Sequence, residues 1–178
     1  MALELIDERE MPPATDAAIR RLLAACFPAD AEAFAERRAW NGVAPIFTVI
    51  WRNEGAVLGH VGVVAREIRC GDTPVRVAGI QSLCVAPELR GTGVSEPLMQ
   101  AALDEAARRG LPFALLFCLP ELERFYAAGG WTRLDRPVTM LDENGRPAPL
   151  PSKNIAMQIA LGEERLPPGP VDLRGRDW

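Results

Sequence analysis

Histidine and tyrosine occur once each, as His60 and Tyr126, and aromatic residues make up only 6% of the sequence. Four cysteines, at 26, 70, 84 and 118, include no Cys-x-x-Cys pair. With a single histidine beside them, a zinc site of the Cys/His type is not expected. The cysteines read as reduced, mostly buried small apolar residues of a cytosolic protein. No stretch offers the roughly 18–20 uncharged apolar residues that a membrane helix needs. The N-terminus, Met-Ala-Leu-Glu-Leu-Ile-Asp-Glu, carries acids where a secretory signal carries bases, so a cytoplasmic location is expected. A basic surplus is missing too. The formal net charge is -4, which leaves no electrostatic footprint for nucleic acid and permits a cationic substrate.

What is present fits an ordinary globular chain: 178 residues, 48% hydrophobic and 25% charged. That length holds about one domain with its own core, and no repeat or linker divides it, so residues 1–178 read as a single domain. A first strand is expected over Ala2–Ile6. Thr15 or Asp16 is placed to cap a helix through Ile19, Leu22, Leu23 and Cys26, which Pro28 stops. A second helix is expected from Asp30 to Trp40. Phe47–Trp51, Val57–Ile68 and Val75–Val85 then read as meandering antiparallel strands joined by Gly-containing turns. Residues 94–109 return to helical period, with Leu98, Ala102 and Ala106 on one side. Pro112–Cys118 is apolar throughout, the mark of a central strand paired on both edges. A short helix from Pro120 to Gly129, strands over Trp131–Leu141 and Asn154–Leu161, and an extended Pro- and Gly-rich tail complete the chain. The order predicts an α/β (α+β) fold, with a mixed, mostly antiparallel sheet of about six to seven strands and helices on both faces.

The most informative segment is Arg90-Gly91-Thr92-Gly93-Val94-Ser95, between a strand end and a helix start. The first amides of a helix lack intrahelical partners, and with the positive dipole end they suit a phosphate. Gly91 and Gly93 let the backbone approach closely, and Arg90 adds a fixed positive charge. A dinucleotide loop would need a third glycine where Glu96 stands, and a P-loop would need Gly-Lys-Ser/Thr. A plain strand-turn-helix corner with incidental glycines is the remaining alternative.

The string resembles the acyl-CoA pyrophosphate loop of the GNAT superfamily of N-acetyltransferases, whose pattern is Arg/Gln-x-x-Gly-x-Gly/Ala, with Ser95 at its last small position. Leu122-Glu-Arg-Phe-Tyr126-Ala-Ala-Gly-Gly-Trp131 is similar to that family's Tyr-bearing helix-to-strand segment. Leu119 stands where the family often has an asparagine. The resemblance implies acetyl-CoA as co-substrate and direct transfer of an acetyl group to a primary amine of a small molecule. It implies pyrophosphate contacts from Arg90 to Ser95, and backbone contacts to the acyl and pantetheine groups from Leu83, Cys84 and Val85. Tyr126 would act as general acid toward the leaving thiolate. Dimers are common in the superfamily, so a homodimer is a candidate assembly.

Two narrower likenesses stand side by side. The ending Asp172-Leu-Arg-Gly-Arg-Asp177-Trp178 looks like that of aminoglycoside 2'-N-acetyltransferases, which implies acceptor contacts from Asp177 and Trp178. Gln81 falls where those enzymes carry a strand-four glutamate, and Pro151-Ser-Lys153-Asn154 replaces their acidic cluster. The core also resembles nodulation acyltransferases, which handle a fatty acyl donor. A longer-chain acyltransferase and a non-catalytic CoA sensor are therefore the alternatives. Gln81 cannot serve as a general base. Glu67, Glu121, His60 and the Trp178 carboxylate are the other candidates, and a structural role for His60 is the favoured reading of its apolar setting.

Overall fold

The first helix starts on a proline rather than on the expected cap. In the computed structural model, which describes residues 2–178, α1 runs Pro13–Cys26 with Pro13 in its first turn. Proline costs little there, because the N–H it lacks has no helical partner anyway. Thr15 and Asp16 lie inside the helix, and Asp16 places its charge at the positive dipole end. Its carboxylate also pairs with Arg20 at 2.8 Å and Arg38 at 2.7 Å.

The chain forms two compact units. The first comprises the residues up to Val64 together with Ile80–Glu105, and the second Ala65–Gly79 with Ala106–Trp178. In the first unit, β1 (Ala2–Asp7) pairs antiparallel with β2 (Phe47–Asn53). β2 pairs in turn with β3 (Ala56–Cys70), from Phe47↔Val63 to Asn53↔Ala56, with a bulge at Trp51/Arg52. Helix α2 covers only Ala31–Glu36, not Asp30–Trp40, because Arg37 is extended (φ -145°, ψ 163°). The unit's core gathers Ile19, Leu22 and Leu23 of α1, Phe34 of α2, Ile50 of β2 and Cys84 of β4 (Thr73–Val85). These side chains sit at spacings of three and four on α1, so one helical stripe supplies the helical side of the core.

In the second unit the strand order is β6-β9-β5-β4-β3-β10-β7-β8. The new strands are β5 (Phe113–Cys118), β6 (Thr132–Arg133), β7 (Val138–Leu141), β8 (Pro147–Pro149), β9 (Ile155–Ala160) and β10 (Val171–Asp172). The expected apolar central strand is β5. It pairs parallel with β4 through Val77↔Phe113, Ala78↔Ala114 and Gly79↔Leu115, and antiparallel with β9 along its whole length. Helix α3 (Ser95–Arg108) precedes β5, and α4 (Glu123–Ala128) follows it.

The fold is thus the expected mixed α/β type with a mostly antiparallel sheet, but the ten strands among the described residues exceed the expected six to seven. One cause is Pro137, which has no N–H to donate and splits the expected Trp131–Leu141 strand into β6 and β7. A second is the Asx turn at Asp142, whose Oδ1 accepts from the amides of Asn144 and Arg146 at 2.8 Å each and folds β8 back on β7. A third lies in the tail, where Val171 and Asp172 pair with β3 and β7.

Candidate functional site

In the first unit, β4 ends in Leu83, Cys84 and Val85, and the Ala86 amide donates to the Leu58 carbonyl at 2.8 Å. A single 3-10 turn, Pro87–Leu89, leads into the segment 90–95. Gly91 and Gly93 take φ of 76° and 84°, the left-handed region that glycine enters without strain. A Cβ on either would meet open space, so the requirement there is conformational and not steric. The Arg90 and Thr92 amides close turns onto Pro87 and Leu89. Among the described residues, the amides of Gly91, Gly93, Val94 and Ser95 find no protein acceptor. Ser95 begins α3, whose dipole adds positive potential at the same place. Arg90 is exposed there. Four free amides, a helix N-terminus and a guanidinium make an anion-binding arrangement.

Behind this loop, Ser82 has φ of 53°, an uncommon value for a residue with a side chain. Two contacts hold it. Its hydroxyl donates to the Arg38 carbonyl at 3.1 Å, and its own carbonyl accepts from His60 Nδ1 at 2.8 Å. His60 is 1% exposed, and its Nε2 has no partner. Burial lowers its pKa to about 4, opposed by the Ser82 hydrogen bond and assisted by the Arg38 charge. The ring is therefore a very weak base, neutral at pH 7, and its Nδ1 holds the Ser82 carbonyl. Gln81 is buried as well. Its Nε2 donates to the Val43 carbonyl at 3.0 Å, and its Oε1 is unpartnered.

In the second unit, α4 carries Tyr126, whose ring centroid lies 5.0 Å from Phe125 and 6.1 Å from Trp131. The Tyr126 carbonyl accepts from Gly129 at 2.9 Å and from Trp131 at 3.2 Å, so the Gly-Gly turn anchors the helix end. Burial, then proximity to Cys118, raises the phenol pKa well above its usual 10. The hydroxyl keeps its proton at neutral pH, as a general acid must. Leu119, at the family's asparagine position, is exposed.

The C-terminal Trp178 lies buried in this unit. Its indole covers Gly79, where a Cβ would sit 2.4 Å from the ring. It stacks 4.9 Å from Phe117, and the Arg66 guanidinium sits 5.1 Å from its centroid. Asp177 is buried too, and burial raises its pKa against the pull of Arg176, Lys153 and Arg66. The roles of Gly79, Arg66 and Ser82 escaped the sequence reading. Gly79, a glycine inside a strand, was the one with a usable signal, since it marks a close approach.

Other candidates fall away from chemistry. Glu67 is exposed and pairs with Arg174 at 3.3 Å. A cavity of about 490 Å³ in the second unit is lined by Arg133, Arg136, Val138, Leu150, Asn154 and Ile155 among others, and none of the expected site residues lines it. Among the described residues, no group of three or more His, Cys, Asp or Glu could hold a metal ion, and no helix is long and apolar enough to cross a membrane.

Comparison with known proteins bears on the family and the fold. A family model for the acetyltransferase (GNAT) domain matches residues 9–134. Nodulation protein A of Bradyrhizobium elkanii is 33% identical over 97 residues, which is 53% of this chain and 45% of that protein. An aminoglycoside 2'-N-acetyltransferase of Mycolicibacterium fortuitum is 25% identical over 93 residues, 52% of this chain and 47% of that protein. The chain thus spans under half the length of these two curated relatives. A GNAT family N-acetyltransferase from Escherichia coli, solved in complex with CoA, superposes with a TM-score of 0.70 at 18% identity, over 97% of this chain and 88% of that one. At that identity the match speaks to the fold.

Proposed function

The chain belongs to the GNAT acetyltransferase family, and from that premise we propose that it transfers an acetyl group from acetyl-CoA directly to a primary amine of a small molecule. The observation that carries the reading is the set of unpaired amides at Gly91, Gly93, Val94 and Ser95 beside Arg90. They fit a pyrophosphate, because each offers a donor that nothing in the protein uses. Acetyl-CoA supplies the activated acyl group as a thioester. Residues 1–178 act as one catalytic domain in this reading.

The chain's own residues have three tasks. Arg90 through Ser95 bind and orient the nucleotide end, which lowers the entropic cost of bringing the acyl donor to the amine. The backbone of Leu83, Cys84 and Val85 offers polar groups to the acyl and pantetheine part, and a donor there would stabilise charge developing on the carbonyl oxygen. Tyr126 protonates the departing thiolate from a phenol that holds its proton at neutral pH. On the acceptor side the reading assigns Gln81, Asp177 and Trp178. With His60 buried and too weakly basic to take up a proton near neutral pH, and Gln81 unable to accept one, the ammonium proton leaves through water in this reading. The protein acts in the cytoplasm, as a homodimer in this reading, on an amine and not on nucleic acid.

The test is CoA release with acetyl-CoA and a panel of polyamines, aminoglycosides and amino acids. Turnover with at least one amine supports the proposal. Absence of turnover with every amine, despite CoA binding, would leave the sensor alternative in its place. Hexanoyl- and palmitoyl-CoA in the same assay separate an acetyltransferase from a longer-chain acyltransferase, the alternative raised by the nodulation likeness.

A further inference from the structure

Two cysteines from distant parts of the sequence meet in the first unit. Cys26 is the last residue of α1, and Cys84 lies on β4. The Cys26 side chain packs against the core cluster that contains Cys84. Cys26 also donates to the Val85 carbonyl at 3.3 Å. Cys84 is buried, whereas Cys26 is half-buried and so open to a small reagent. Arg90 is the cation, and Glu88 the opposing charge, that act on Cys26. An accessible sulfur beside a cation, with a second sulfur behind it, is the arrangement of a reactive thiol and its resolving partner.

We propose that Cys26 and Cys84 form a peroxide-sensitive thiol pair, in which Cys26 is oxidised first and Cys84 converts it to a disulfide. In the first step the Cys26 thiolate attacks one oxygen of hydrogen peroxide. The O–O bond breaks, and the departing hydroxide takes up the proton the thiol gave up and leaves as water. Cys26 is then a sulfenic acid. In the second step the Cys84 sulfur attacks the Cys26 sulfur, the S–O bond breaks, and a second water carries off the Cys84 proton. Two thiols lose two electrons, and one peroxide gains them.

The electrostatics assign the roles. The neighbouring Cys84 side chain, and then Arg90, lower the Cys26 pKa to about 7 against the opposing effect of burial. The same contact and burial raise that of Cys84. Burial also raises Cys70, and pushes Cys118 up to about 11. Neither sulfur of the pair has a role in the transfer proposed above.

The experiment treats the full chain with hydrogen peroxide at pH 7.4, quenches with an alkylating reagent and maps peptides by mass spectrometry. The expected result is one cross-link, Cys26 to Cys84, reversed by dithiothreitol, with Cys70 and Cys118 still alkylated. Cys26 should react about tenfold or more faster than Cys118. In Cys84→Ala the sulfenic acid persists and is trapped by dimedone at Cys26, while in Cys26→Ala residue 84 stays unlabelled. The inference is overturned if the wild-type chain forms no such cross-link, or if Cys118 or Cys70 oxidises as fast as Cys26. The wild-type mapping decides the matter even where a variant folds poorly.

Discussion

Acidification from pH 7 to pH 5 should remove about 2 kcal/mol of folding free energy through His60 alone. The ring is buried, donates from Nδ1 to the Ser82 carbonyl and leaves Nε2 without a partner. Its pKa is about 4 in the folded chain against 6.5 for an ordinary histidine. The unfolded chain therefore takes up the proton first. The stability this represents is fully present above pH 6.5 and is lost as the pH falls toward 4. The gap between the two values corresponds to about 3 kcal/mol when fully expressed, of which about 2 is lost by pH 5. Urea unfolding of the wild type and His60→Gln at both pH values isolates this contribution. The variant is less stable at pH 7, and its deficit should shrink by about 2 kcal/mol at pH 5. Because the chain has one histidine, NMR adds a direct readout, since its imidazole resonance should not titrate between pH 5 and 8. An imidazole titrating near 6.5 in the folded protein, or parallel stability curves, would refute the reasoning.

Three further perturbations probe other parts of the account. Tyr126→Phe should lower kcat by about 100-fold, the usual scale for losing a general acid, while CoA affinity measured by calorimetry changes less than about threefold; the reverse pattern would remove its acid role. Gly79→Ala places a Cβ 2.4 Å from the Trp178 ring, and overpacking of that kind costs about 1–3 kcal/mol, so Tm should fall and indole fluorescence should shift. An unchanged Tm would show that the indole moves aside freely. Arg38→Ala removes ion pairs to Asp16 and Glu8 and a hydrogen bond to Thr48, a nearly buried network whose loss should cost about 2 kcal/mol in urea unfolding. A loss within error would reduce those contacts to surface pairs.

Much of the architecture was written in local pattern. The unbroken apolar run over residues 113–118 marked a strand with neighbours on both edges, and the apolar runs set off by Gly-containing turns marked β2, β3 and β4. The strand-turn-helix corner at residues 90–95 was legible because two glycines stand between a strand end and a helix start. What stayed hidden depends on partners distant in sequence. Val171 and Asp172 pair with β3 and β7, yet their Pro- and Gly-rich surroundings read as an unpaired tail. The packing of the Trp178 ring against Gly79, Phe117 and Arg66 was also hidden. The positive φ of Ser82 carries no sequence mark, since serine gives no hint of it. The meeting of Cys26 with Cys84 was equally invisible, because no local spacing joins a helix end to a strand.

Calorimetric titration of CoA into the wild-type chain and into Gly93→Glu probes the anion site at its centre. The added side chain points into open space and so disturbs no packing, but it sets a carboxylate among the free amides and forces a strained φ. Measurable binding by the wild type, weakened at least about tenfold in a variant of unchanged circular dichroism, is the predicted result. Equal affinity in the two, or no binding by the wild type, would contradict it.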